Sequence, residues 1–341
     1  MNLINSSDYL IHNATLGRNS TLFPEPAKMF AVPLLFTSFL VGTIINGLYL
    51  WVLRFKMKRT VNILLFFHLI LSYFMSAFTL PFVATSYLQD NHWRFGIVMC
   101  KVVNSTLSLG MFTSVFFLSA ISVDRYLLVL YPVWSQLHRT PRNASIIILG
   151  IWISAMALSM PYLFFRVTHE NDDKTVTCQN NYVVFTKGEH EKMETLSKKI
   201  HLACFIGRFL VGFLLPFFII TFCYERINNK VKERSRIKSN KPFRVMVTAI
   251  ISFFVCWMPY HIYKGLRLTS DQSQSHLSLL FLILTLITTS FNALFSPTLY
   301  LFTGEDFKKI FKKSIIALFE STFNEDSSAE RTQNINSEAD I

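Results

Sequence analysis

Seven long apolar stretches, at about 29–54, 60–88, 97–131, 143–165, 200–226, 242–267 and 276–302, constrain this 341-residue chain more than any other feature. Each has the length a helix needs to cross the hydrocarbon core of a bilayer, roughly 20 residues. Prolines stand inside several of them (Pro81, Pro161, Pro216, Pro259 and Pro297). They would break a helix in water, but membrane helices carry them as kinks because neighbouring groups satisfy the freed carbonyls. Only 16% of the residues are charged, against about a quarter in soluble domains. The expected fold is therefore an all-α membrane protein, a seven-transmembrane helix bundle. The net charge of +12 does not point to nucleic acid. The basic residues fall between the apolar spans and not on one amphipathic face, as in loops that lie beside anionic lipid headgroups.

Charge also gives the topology. With the amino terminus outside, 20 of the 33 Lys and Arg residues fall on the inner side: Arg54 to Arg59, then Arg125, Arg139 and Arg142, the run from Arg226 to Arg244, and the tail. That is the bias that membrane insertion requires. Residues 1–28 are polar, without the basic and apolar segments of a cleavable signal sequence, and hold acceptor sequons at Asn5, Asn13 and Asn19. They read as a glycosylated extracellular tail, followed by the bundle over 29–302. Over 303–319, Phe307, Ile310, Phe311, Ile315 and Ile316 form one apolar stripe opposite Lys308, Lys309, Lys312 and Lys313. This reads as a short amphipathic eighth helix on the inner leaflet, with no cysteine after it to take a palmitoyl chain. Residues 320–341 read as a disordered cytoplasmic tail. The loops are short except at 166–199, where Thr175–Thr177 and Tyr182–Phe185 flank Asn180-Asn181, the pattern of a β-hairpin.

Of five cysteines, Cys204, Cys223 and Cys256 sit within apolar spans, where a thiol acts as a small hydrophobe. Cys100 and Cys178 both lie at the outer boundary, in an oxidising compartment, and are the natural disulfide pair. Asp124 follows Cys100 by 24 residues, about 36 Å of helix, so the disulfide and the Asp124-Arg125 pair belong to opposite faces of the membrane.

Across roughly 29–320 the chain resembles the rhodopsin-like, G-protein-coupled receptors. The resemblance rests on markers that come in order: Asn46, Cys100, Asp124-Arg125-Tyr126, Trp152, Pro216, Cys256-Trp257-Met258-Pro259, then Pro297 with Tyr300. Within that family it is similar to the chemoattractant branch (formyl-peptide, chemerin and anaphylatoxin types). Lys58 to Asn62, Trp93-Arg94-Phe95-Gly96, Pro259-Tyr260-His261 and Gly304-Glu305-Asp306-Phe307 carry that likeness. The resemblance implies a plasma-membrane receptor for an extracellular peptide or protein, coupled to inhibitory heterotrimeric G proteins, without a cofactor.

A charge at the inner edge of an apolar bundle is costly unless paired, and Asp124 is expected to be the partner of Arg125. The resemblance implies that Arg125 is released on activation to meet the G protein, and that Tyr224 and Tyr300 swing in. No acid stands at Ser239 and Asn240, so a lock from there to Arg125 is not expected. Trp257 beside Pro259 would be the hinge under the ligand, with Phe253 a turn below, packed near Pro216 and Val115. Arg208 lies two turns before Pro216, within the outer half of the fifth span, where a cation needs an anionic partner from protein or ligand. The matching arginine in the chemoattractant branch contacts peptide ligands. With Tyr260, His261, Lys264 and Arg267 it is expected to form a cationic pocket for an acidic or carboxylate-bearing ligand.

Three positions depart from the family. Tyr73 replaces the aspartate that holds sodium with Ser114 and Asn292, so the sodium site is expected to be lost. Ser296 replaces the asparagine before Pro297, and Ser108 replaces the acid of the formyl-peptide receptors. In the tail, Ser321, Thr322, Ser327, Ser328 and Thr332 stand among acidic residues, and their phosphorylation would make a negative patch for arrestin. A scavenger that binds a chemoattractant without G-protein signalling stays open as an alternative. It is favoured by Tyr73 and Ser296 and opposed by the intact Asp124-Arg125-Tyr126. A transporter would show charged or discontinuous mid-membrane helices and an internal repeat. An enzyme would show a metal set or a nucleophile–base pair. The sequence has neither pattern.

Overall fold

The computed structural model describes residues 25–182, 190–233, 241–269, 276–300, 309–314 and 316. In a bilayer each segment must satisfy its backbone polar groups within itself, so apolar spans become helices. Seven form here. The first is Glu25–Phe55, the third Gly96–Leu130, the fourth Pro141–Phe165, the sixth Lys241–Thr269 and the seventh His276–Tyr300. The second divides into Val61–Ala77 and Leu80–Leu88, and the fifth runs from His190 to Glu233. Helices of five of the spans are long and apolar enough to cross a membrane. Starts are marked by polar caps: the Thr60 and Thr140 hydroxyls accept from the Ile63 and Asn143 amides at 3.4 and 3.2 Å.

The interruptions have local causes. Pro81 has no N–H to give Ala77, and the chain opens there, with the Thr79 hydroxyl and amide both donating to the Ser76 carbonyl at 2.6 and 3.1 Å. In the fifth span a π-helical segment, Leu210–Leu214, precedes Pro216. Proline cannot donate to the Gly212 carbonyl and its ring crowds it. The ladder widens by one residue, so that Leu215 N–H reaches Leu210 O. A side chain at Gly212 would meet the Phe112 ring, so glycine permits the close approach of the third and fifth spans.

The third span lies at the centre, against the second, fourth and fifth, while the first packs on the second and seventh and the sixth on the seventh. The main core joins Leu69 and Tyr73, Val115 and Phe117, Ile148, Phe213 and Ile220, and Phe253 and Phe254. Trp152 Nε1 donates to His68 Nδ1 at 3.2 Å and ties the fourth span to the second. On the other side, Phe311 in the helical residues 309–314 stacks on Tyr49 of the first span.

The expected hairpin is present in a different register. β1 (Arg166–Glu170) pairs antiparallel with β2 (Val176–Asn180), Arg166 opposite Asn180. The turn is therefore at 171–175, and Asn180-Asn181 end the second strand. The earlier segment has the stronger turn chemistry. Lys174 takes φ 64°, and the Asp173 carboxylate accepts from the Thr175 amide and hydroxyl at 2.9 and 2.5 Å. Val183, Val184 and Phe185 lie outside the described residues. Cys178 is bonded to Cys100, so the strand is fastened to the third span. Trp93 N–H donates to Val176 O at 2.7 Å and Val176 N–H to His92 Nδ1 at 3.0 Å, docking the first outer loop on the same strand. Below, the disulfide end is called outer and the Asp124 end inner.

Candidate functional site

Two groups of charged residues stand at opposite ends of the bundle. At the outer end, Arg208 Nη1 donates to the Tyr260 hydroxyl at 2.6 Å, and its guanidinium lies 4.4 Å from the centre of the Tyr162 ring. The two tyrosine hydroxyls are 3.5 Å apart. The other side of the cluster is Arg166, whose Nη1 donates to Cys178 O at 3.0 Å and whose guanidinium is 5.5 Å from the same Tyr162 ring. Arg166 Nε and Arg208 Nε are both buried without a hydrogen-bond partner. Lys264 Nζ stands 5.7 Å from the Tyr260 ring. Among the described residues no carboxylate forms an ion pair with any of these cations. Arginine keeps its charge in proteins. The cluster is therefore a focus of positive charge held by aromatic faces and hydroxyls.

The structure thus gathers Arg208, Tyr260 and Lys264, while Arg267 is exposed at the outer end of the sixth span. His261 is closed off: 4% exposed, its ring lies 5.5 and 5.0 Å from Phe209 and Phe213, and neither ring nitrogen has a partner. Tyr162 and Arg166 were not singled out from the sequence. Both lie at the junction of the fourth span and β1, and only the disulfide-fixed hairpin brings Arg166 over the bundle. Beneath the cluster Trp257 meets the Tyr260 ring edge-on at 5.6 Å and Phe253 at 6.0 Å, and Phe253 is wholly buried in one core with Val115. Ser108 is buried and accepts from the Ser159 hydroxyl at 3.3 Å.

At the inner end the structure corrects the expected pairing. Asp124 pairs with Arg139 and not with Arg125: Arg139 Nε donates to Oδ1 at 2.7 Å and Nη2 to Oδ2 at 3.1 Å. Arg139 Nη2 also donates to Asn62 Oδ1 at 2.7 Å. The clamp joins the third span, the loop after the short helix Pro132–His138, and the start of the second span. The reason is geometric, since neighbours i and i+1 on a helix point about 100° apart and do not face each other. Arg125 is half-buried, with Nε unpartnered. Tyr126 lies 6.0 Å from both the Tyr131 and Phe222 rings. Tyr224 and Pro216 are buried in the fifth span.

At the level of the family's sodium ion, Tyr73 is buried in the main core and the Ser114 hydroxyl is engaged with Met111 O at 3.0 Å. A phenol in place of a carboxylate does not fit a cation. Pro297 and Tyr300, with Asn292 and Ser296, lie in the helical backbone of the seventh span, and their side chains are outside the described residues. Asn5, Asn13, Asn19, Ser239, Asn240 and the tail from 317 are also outside them.

The family model described as 7 transmembrane receptor (rhodopsin family) matches residues 45–300. The chain is 70% identical to the probable G-protein coupled receptor 33 of Homo sapiens over 98% of its length and all of that protein's. Against the Mus musculus protein of the same name the identity is 61% over both full lengths. It is 39% identical to the human chemerin-like receptor 1, over 92% of this chain and 87% of that one. The likeness to chemerin-type receptors carried by the motifs stands.

Proposed function

The chain belongs to the rhodopsin family of seven-transmembrane receptors, and from that premise we propose that it is a chemoattractant-type receptor for a peptide or other carboxylate-bearing ligand. It is a multi-pass membrane protein, and its family pairs a ligand with a G protein. In this reading the amino terminus is outside the plasma membrane and signalling runs through inhibitory G proteins, with arrestin as a second partner. One observation carries the ligand class. Arg208, Arg166 and Lys264 surround Tyr162 and Tyr260 with no acid to neutralise them among the described residues. Uncompensated cations within an apolar bundle are costly, and an incoming carboxylate would supply the missing charge through strong, bidentate hydrogen bonds.

The ligand would displace the tyrosine contacts of Arg208 and press on Tyr260 and, through it, Trp257 and Phe253. It would shift the bundle toward the arrangement it binds better. A screen of chemotactic peptides with free and amidated carboxyl termini, read in parallel as cAMP inhibition and arrestin recruitment, tests this. A response to free but not amidated peptides supports it. An agonist for which Arg208→Ala changes nothing removes the pocket role. The second reading, a scavenger that binds without G-protein signalling, is favoured by Tyr73 in the relay core and by the Arg139 hold on Asp124. Arrestin recruitment without cAMP inhibition would select it.

A further inference from the structure

A titratable side chain, His92, takes part in joining the two outer loops. After the second span Asp90 and Asn91 take φ 54° and 65°, a left-handed pair that reverses the chain. His92 N–H closes that turn on Gln89 O at 2.9 Å, and His92 and Trp93 then face β2. In the hairpin Asn171 N–H donates to Thr175 O at 2.8 Å. The next opposed pair, Glu170 and Val176, is therefore one whose backbone groups point away from each other. Both outward groups of Val176 are met by the first outer loop. Its N–H donates to His92 Nδ1 at 3.0 Å, and its carbonyl accepts from Trp93 N–H at 2.7 Å. Trp93 is the fixed half of this clasp: buried, packed with Cys100 and Val103, its Nε1 donating to Gly96 O at 2.9 Å. His92 is half-buried and is the half that can change.

A backbone N–H only donates, so Nδ1 is the unprotonated nitrogen of a neutral ring whose proton is on Nε2. Imidazole is the side chain that changes charge between about pH 5 and 8. The imidazolium carries a proton on both nitrogens and cannot accept, which leaves Val176 N–H facing another donor. Of the charged groups around the ring, Asp173 of the turn interacts with its charge. Asp90 is taken by Lys28 of the first span at 2.5 Å, and Lys28 also holds Glu25 at 2.9 Å. Glu170, Asp172, Lys174 and Arg94 are exposed. We infer that His92 is a positioning residue for β2, and that its protonation releases the turn end of the hairpin. The docked form needs the neutral ring, so docking is complete above the interval in which the ring titrates and is lost as pH falls through it. Release stops at Cys178, which the disulfide keeps on Cys100. Cys178 O also holds Arg166 Nη1 at 3.0 Å, so acid loosens the strand beside one of the outer cations and leaves that cation tethered. The clasp is independent of the ligand class proposed above.

Hydrogen–deuterium exchange of the full-length receptor in lipid nanodiscs tests it, followed at single amides by mass spectrometry and corrected for the intrinsic pH dependence of exchange. From about pH 7.5 to about pH 5.5, across the imidazole range, the protection factor of the Val176 amide is expected to fall by about fivefold, the scale of one hydrogen bond. His92→Gln keeps an acceptor, its side-chain carbonyl, but takes no proton. The pH dependence should vanish there, with protection near that of the unaltered receptor at the higher pH. His92→Phe has no acceptor, so protection should be low at both pH values. His169→Gln, at an exposed histidine of β1, should leave the fall in place. Thermal unfolding of each variant at both pH values separates release of the hairpin from loss of the fold. A Val176 protection factor that does not change with pH overturns the proposal, as does a fall that persists in His92→Gln or disappears in His169→Gln. An equal fall at the Gln179 amide, beyond the disulfide, also overturns it, since the whole hairpin would then be lifting and not its turn end.

Discussion

Arg208 and Arg139 are two arginines at opposite ends of the same bundle, and they differ in what meets their charge. Arg139 has a carboxylate, taken in two hydrogen bonds, and an asparagine oxygen beside it. Arg208 has a phenol and the face of a ring, and the cations near it, Arg166 and Lys264, add charge of the same sign. Coulomb attraction at short range is strong where the dielectric is low, so the Asp124 carboxylate is already matched. Among the described residues the outer cluster has no carboxylate counterpart. In the function proposed above, ligand energy enters where the described residues leave charge uncompensated, and the Arg139 hold on Asp124 must be opened against a bond already made.

The largest test of that contrast is at Arg208. Arg208→Ala is expected to lower the potency of a carboxylate agonist by about a hundredfold, the scale of losing one partner of a desolvated charge pair, 2–5 kcal/mol. Amidating the agonist should cost a similar amount. The two losses should not add in a double-mutant cycle of cAMP inhibition; strict additivity would mean that arginine and carboxylate do not meet.

Next comes the clamp. Arg139→Ala leaves Asp124 without its partner, and since both side chains keep some exposure, 22% and 12%, the cost should be well below the 3–5 kcal/mol of a fully buried pair. A fall of a few degrees in the unfolding temperature of purified receptor is expected. Arg139→Lys should recover only part of it, because an ammonium cannot span both carboxylate oxygens and Asn62. An unchanged unfolding temperature would show that the clamp contributes nothing to stability.

A smaller effect, by its absence, concerns sodium. Replacing potassium by sodium should change agonist affinity by less than about twofold, where allosteric coupling elsewhere runs from 5- to 150-fold. Tyr73→Asp is the variant to regain a response.

The smallest effect is at the outer turn. Hydrogen bonds from the Thr175 hydroxyl and amide hold the exposed Asp173 carboxyl below its ordinary range. A depressed carboxylate contributes stability above its unfolded value, near 3.9, that is lost as pH falls through the lower folded one. The protection factor of the Thr175 amide should therefore fall in that acid window, and already be lower at neutral pH in Asp173→Asn, with no change in global unfolding.

The sequence by itself determined the seven spans, the family and the disulfide. Each spanning segment must satisfy its own backbone, so hydropathy is a local signal that does not depend on what the segment packs against. The two boundary cysteines, alone in an oxidising setting, left little choice. Sequence also placed Arg208 in the outer half of the fifth span, from its distance to Pro216. Tertiary structure alone decided which charges meet. Adjacency in the chain suggested Asp124 with Arg125, but helical geometry turns the two side chains apart, and Arg139 reaches the carboxylate from a loop. The hairpin register moved because Asn171 to Lys174 make the better turn and Cys178 is tied to Cys100. Arg166 came into the cluster only because that hairpin folds over the bundle. Residues with no signal of their own in the sequence acquired partners through contacts between distant segments, which local periodicity and spacing do not encode.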